Sequence, residues 1–233
     1  MNIMIFSIKT KEDNFIEDSY QKSMCELNTF FGINWVENTP NIFIAPNRKE
    51  FDNLLGHPTE DWLIGYGVSK SIYILDKYSI KKHSNHQFSN QKYQQLIKHE
   101  LCHLFQEAVS KYLHPVWLSE GLSVYLSEET DDVKREFTSF LNNYFITEKS
   151  SYDEGSYFVR FLIQKFGKNK FIHFLYKISE LNYITSDDKN LIRNQNKFKK
   201  DFNCLFKKIF KFDLNYRSIN NAYAKFYKEK FEK

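Results

Sequence analysis

Glycine and proline are scarce in this chain, at seven and four of 233 residues, which argues against an all-β design built on tight turns and against Pro-rich linkers. The three cysteines, Cys25, Cys102 and Cys204, are odd in number, widely spaced and lack a CxxC pair. They read as reduced thiols and not as a disulfide frame. No apolar run approaches the length of a membrane span, and the opening MNIMIFSIKTKEDNF has neither a charged n-region nor a sustained apolar h-region. A cytoplasmic protein with no membrane partner is therefore expected. Charge of one sign is also lacking: 33 Lys and Arg against 29 Asp and Glu leave a net +4. Only the tail from Lys207 onward is locally basic, so a nucleic-acid partner is not expected.

Apolar and aromatic residues are abundant, at 42% and 18% of the chain, enough for a real core in one domain or two small lobes. The first part alternates strand-like and helix-like runs. IMIFSI, NIFIAP and SIYILD read as strands. FIEDSYQKSMCELNTFFG reads as a helix closed by Gly32, and RKEFDNLLG as a short helix. A polar loop, Lys81 to Gln91, leads into a helix expected over Gln91 to Tyr112. Beyond it, VKREFTSFLNNYF, YFVRFLIQKFG, KFIHFLYKI, FNCLFKKIF and INNAYAKFYKEKF all carry apolar residues at helical spacing. The expected fold class is α+β: a mixed α/β lobe over residues 1–113, a helical lobe over 114–233, and a cleft between them, together one unit.

The stretch KHELCHLF, Lys98 to Phe105, carries the chemistry. Turned about 100° per residue, the helix places Ile97, Leu101, Leu104, Phe105, Ala108 and Tyr112 on one stripe. His99 and His103 then lie together on the opposite side, about 40° apart, facing water or a second lobe. Histidines at i and i+4 can set two imidazole nitrogens on one zinc ion. Glu100 is turned aside, placed to act as general base without ligating. For the third ligand the best candidate is Glu120 in HPVWLSEGLSVYL. Pro115 suits the first turn of a new helix, Trp117 and Val124 surround the carboxylate with apolar bulk, and Gly121 permits close backbone approach. Glu107 is the rival, one turn past His103. The metzincin pattern fails, because Gln106 and Val109 stand where its glycine and third histidine would be.

HELCHLF, PVWLSEGLSVYL and YDEGSYFVRFLIQKFG together resemble the gluzincin metallopeptidases of the peptidase MA group, which include thermolysin-like enzymes and zinc aminopeptidases. Among these the chain is most similar to compact bacterial proteins called peptidase MA-like. The resemblance spans about Asp61 to Tyr227 and is strongest from Lys98 to Gly167. It implies a zincin-like fold and one zinc ion per chain held by His99, His103 and Glu120. It also implies Glu100 as the base and peptide or unfolded-protein substrates. It further singles out Tyr152 as an oxyanion-stabilising phenol, with Ser151 and Glu154 as a local capping box. DWLIGYGVSKSIYILD falls where the family has its cleft-edge strand, so Ser69, Ser71 and Tyr73 are the expected substrate-binding edge. Two departures stand out. Val124 occupies the place of a histidine-orienting aspartate, and no Gly-x-Met-Glu-Asn stretch is present for amine recognition. The alternatives are a non-catalytic zinc-binding interaction module and a basic helical nucleic-acid-binding protein.

Overall fold

The computed structural model describes residues 10, 12–110, 115–129, 136–142, 144–145, 149–181 and 188–231, with only the backbone given over 188–194 and 230–231. The strand expected at IMIFSI lies outside them, as do His114 and the end of the motif helix. The described chain is mostly helical with one small sheet, an α+β composition in the broad sense. No described helix is long and apolar enough to cross a membrane. Two compact units divide it, residues 1–104 and 105–233.

In the first unit, helix α1 (Asn14–Phe31) begins where the Asp13 side chain accepts from the Ile16 amide at 3.3 Å and ends at Gly32, which takes the left-handed φ of 67°. The sheet contains β1 (Asn41–Ala45), β2 (Gly65–Val68) and β3 (Ser71–Leu75) in the order β1-β3-β2. β1 runs parallel to β3, and β2 runs antiparallel to it. Helix α2 (Arg48–Leu55) lies in the crossover and packs on β1 and β3. Ile72 and Ile74 are fully buried on one sheet face, while Phe43 stacks on Tyr73 on the other at 5.1 Å between ring centres.

Arg48 fixes the approach to β2. Its guanidinium donates to Thr59 Oγ1 (2.8 Å) and to the carbonyls of Asp61 (3.2 Å), Leu63 (2.6 Å) and His83 (3.1 and 2.8 Å), a planar fork that lysine could not reproduce. Helix α3 (Ile80–His83) interrupts the expected loop. The motif helix, α4, runs Asn90–Ser110. Two ties locate it within the unit: Tyr93 donates its hydroxyl to the Leu75 carbonyl at 3.1 Å, and Lys98 pairs with Glu26 of α1 at 2.5 Å.

The second unit begins with the last turns of α4, which explains why the division falls at 104/105 and not at the expected 113/114. Gln106 donates to the Ser119 carbonyl and to Ser123 Oγ, both at 3.1 Å, binding that segment to α5 (Val116–Ser127). α6 (Lys149–Phe166), α7 (Lys168–Ser179), α8 (Asp188–Phe210) and α9 (Tyr216–Phe231) follow. Their core is dominated by phenylalanine: Trp117 lies among the rings of Phe140, Phe158 and Phe202, and Phe174 among those of Phe202, Phe206 and Phe210.

The segment read as the helix VKREFTSFLNNYF is not helical over its described residues. Phe137, Phe140, Leu141 and Tyr144 are buried at helical spacing, yet their backbone is satisfied from outside. Asn220 of α9 accepts from the Phe137 amide (2.9 Å) and donates to its carbonyl (3.0 Å), and the Tyr216 hydroxyl accepts from the Leu141 amide at 2.7 Å. Glu154 of α6 accepts from the amides of Thr138 (2.9 Å), Ser139 (3.0 Å) and Phe140 (3.3 Å) and from the hydroxyls of Thr138 and Ser139, both at 2.9 Å. Glu154 is therefore a loop anchor and not the partner of Ser151 in a capping box, because α6 already begins at Lys149.

Burial alone would raise the Glu154 carboxyl, but the amides and hydroxyls of Ser139 and Thr138 outweigh it and hold the group below its ordinary value. A carboxylate with a depressed folded-state pKa adds stability that is complete above its unfolded value near 4.5 and is lost as pH falls through the folded value. Glu154→Gln is thus expected to lower stability at neutral pH by about 1–3 kcal/mol. The difference from wild type should shrink on acidification, measured by urea unfolding at pH 7 and pH 3.5. A constant difference would show that the carboxylate charge is not what the loop uses.

Candidate metal centre

His99 and His103 sit one turn apart on α4, with ring centres 4.9 Å apart in an edge-to-face arrangement. Glu120 follows the first turn of α5. One ligand atom from each of the three can be chosen so that all lie within 4.8 Å of one another, the sole such His/Cys/Asp/Glu group among the described residues. Ligands at about 2.0–2.2 Å around a tetrahedral zinc stand about 3.4 Å apart, so a side-chain adjustment of rotamer size closes the ring. Two imidazoles and one carboxylate are also a donor set suited to zinc with a position left open for chemistry. The residues present fit the ion.

The surroundings differ in one respect from the helical-wheel expectation. α4 is covered nearly all round from Ile97 to Gln106: His99 and Glu100 are buried, His103 and Lys98 half-buried, while Ala108, assigned to the apolar stripe, is exposed. Glu107 is exposed and stands outside the three-residue group. Trp117 and Val124 are buried on either side of half-buried Glu120, as their spacing implied.

No family model, curated protein or solved structure matches this chain.

Gly121, next to Glu120, marks the crossing of α5 and α6. A Cβ placed there would meet the backbone of α6 at 2.4 Å (Gly155 carbonyl carbon), 2.6 Å (Gly155 oxygen) and 2.9 Å (Ser156 nitrogen). From the other side, a Cβ at Gly155 would stand 2.6 Å from the Trp117 carbonyl oxygen. The two helices touch backbone to backbone, which only glycine at both positions permits. Tyr152 stands one turn before Gly155 on α6, half-buried, so the crossing holds the helical turns bearing Glu120 and Tyr152 in a fixed relation. Arg160, further along α6, lies over the Tyr125 ring at 5.7 Å.

The substrate-edge expectation needs correction. Ser71 and Tyr73 belong to β3, which is the central strand with both edges paired, and Ser69 takes a left-handed φ of 49° between β2 and β3. A further strand cannot add to a strand already paired on both sides. Among the described strands, β1 and β2 are at the edges. Trp62 and Tyr66, on the run leading through β2, are 43% and 45% exposed, and His86 Nε2 lies 2.8 Å from the Trp62 carbonyl oxygen.

Sequence reasoning missed Gly65 and Gly67 of β2, which lie against Glu100. The signal was available: two glycines alternating within a strand mark close approach of another group.

Proposed function

We propose that this chain is a zinc-dependent metallopeptidase of the gluzincin kind, with a zincin-like arrangement of its site. The observation that carries the reading is the convergence of His99, His103 and Glu120 donors, with Glu100 buried between the two histidines in sequence. Zinc bound there would polarise the scissile carbonyl and lower the pKa of a water to about 7. Glu100 accepts the proton of the attacking water and delivers it to the leaving amine. Tyr152 donates its phenolic hydrogen to the oxygen on which negative charge develops. A peptide or unfolded segment pairs with the outer edge of β2, replacing Ser69, Ser71 and Tyr73 in that role, since β2 is one of the two edge strands among the described residues and the one lying against Glu100.

Elemental analysis of purified protein tests the centre. Wild type is expected to carry about one zinc per chain, and His103→Ala and Glu120→Ala to bind it at least about 100-fold more weakly, each losing one of three protein ligands. A folded wild type that refuses added zinc ends the proposal. Zinc bound at full occupancy without hydrolysis of a peptide library would instead favour the non-catalytic interaction module.

A further inference from the structure

Strand β2 lays both of its glycines against Glu100, and Gly65 against Leu96 as well. A Cβ at Gly65 would stand 2.5 Å from Glu100 Oε1, 2.9 Å from Glu100 Cδ and 2.8 Å from Leu96 Cδ1. At Gly67 it would stand 2.6 Å from the Glu100 carbonyl oxygen and 3.5 Å from Oε2. One glycine meets the carboxylate and the other the backbone that carries it. Neither takes the left-handed φ that itself favours glycine, so the requirement here is room and not backbone conformation. Across the pair, Gly65 stands opposite Ile74 and Gly67 opposite Ile72, both fully buried, while Tyr66 between them is exposed.

A strand interior normally favours β-branched or aromatic residues, and glycine weakens it. If β2 served only to cover α4, a larger side chain at 65 would bury more apolar area, with the flexible glutamate leaning away. Glycine instead brings the β2 backbone into contact with the carboxylate and limits the rotamers open to a three-torsion side chain. General base catalysis needs that restriction, because the proton acceptor must be held near its productive position.

We infer that Gly65 and Gly67 are positioning residues for Glu100, β2 acting as a wall that sets where the carboxylate points. This rests on the metallopeptidase reading above. The wall also joins two tasks: the strand whose outer edge takes the substrate backbone holds the base on its inner face.

The test is a double-mutant cycle between Gly65→Ala and Glu100→Asp, the aspartate withdrawing the carboxyl by one methylene and making room for the added methyl. Thermal unfolding of the metal-free proteins gives a readout independent of activity. Gly65→Ala is expected to lower Tm by several degrees in wild type and by far less in the Glu100→Asp background, since contacting sites are non-additive. With zinc loaded, Gly65→Ala is expected to lower kcat about 10- to 100-fold and to leave KM and zinc content within about two-fold. Additive Tm changes, or a Gly65→Ala enzyme with wild-type kcat, would overturn the inference. If Gly65→Ala alone fails to fold, a double variant that folds is the strongest non-additivity and supports it, and a double variant that also fails overturns it. A zinc-loaded wild type that cleaves no peptide sinks the peptidase reading and this inference with it, an outcome distinct from an active wild type matched by Gly65→Ala.

Discussion

Glu100→Gln is expected to keep its zinc and lose about 10²- to 10⁴-fold in peptide hydrolysis, the range that removal of a general base produces. Glutamine is nearly isosteric, so it fills the same buried space against β2, and His99, His103 and Glu120 are untouched. What disappears is the ability to take a proton. Stability should be unchanged or slightly raised, because a neutral amide replaces an ionisable group at a position only 6% exposed. Zinc analysis and a peptide assay on the same preparation separate the outcomes. A variant with wild-type activity would remove Glu100 from the mechanism. Loss of zinc together with activity would mean that the substitution had disturbed the centre and not the base.

Gly121→Ala should produce the largest structural effect of any single methyl addition near the site. Alanine in place of a helical glycine ordinarily gains about 1 kcal/mol from propensity. Here the added carbon would stand 2.4–2.9 Å from three backbone atoms of α6, none of which can move without shifting the helix. Overpacking against side chains costs about 1–3 kcal/mol, and backbone that cannot yield lies at or above the top of that range. The steric term wins, and a net loss of about 2 kcal/mol or more is expected, or about 4–8 °C in Tm for a chain of this size. Zinc affinity should fall by about ten-fold or more, because the turn that bears Glu120 moves with the crossing. Gly155→Ala, aimed at the Trp117 carbonyl from the opposite helix, should behave alike. A Tm equal to or above that of wild type in both variants would show that the helices separate freely and that the crossing does not hold the site.

Much of this site is legible in sequence because its signals are local. The i, i+4 histidines need only a helix, and Glu120 is marked by the apolar residues one turn to either side and by Gly121, whose backbone contact the structure bears out. Gly32 closes α1 in the left-handed conformation that its place after the apolar run implied. Elsewhere the same rules mislead for a physical reason. Residues 137–144 hold aromatics at helical spacing, but that spacing records only that rings point one way. The backbone partners come from Asn220, Tyr216 and Glu154, some 15 to 80 residues distant in sequence. In β2 the alternation is inverted: the apolar members Tyr66 and Val68 face away from α4, and the inward positions are glycines, so a search for a hydrophobic face finds the wrong one. The resemblance assigns the edge to the run DWLIGYGVSKSIYILD, which spans both β2 and β3, and only the strand pairing tells the two apart.

Trp117 packs among phenylalanines with no exposed surface, whereas the other two tryptophans, half-buried Trp35 and exposed Trp62, both belong to the unit that ends at residue 104. A shielded indole emits at shorter wavelength than a wetted one. The intrinsic emission of the protein is therefore split by colour between its halves, the blue component coming from a ring one helical turn ahead of Glu120. Unfolding of the helical half can thus be followed optically in the unlabelled chain, against an internal reference supplied by the other half.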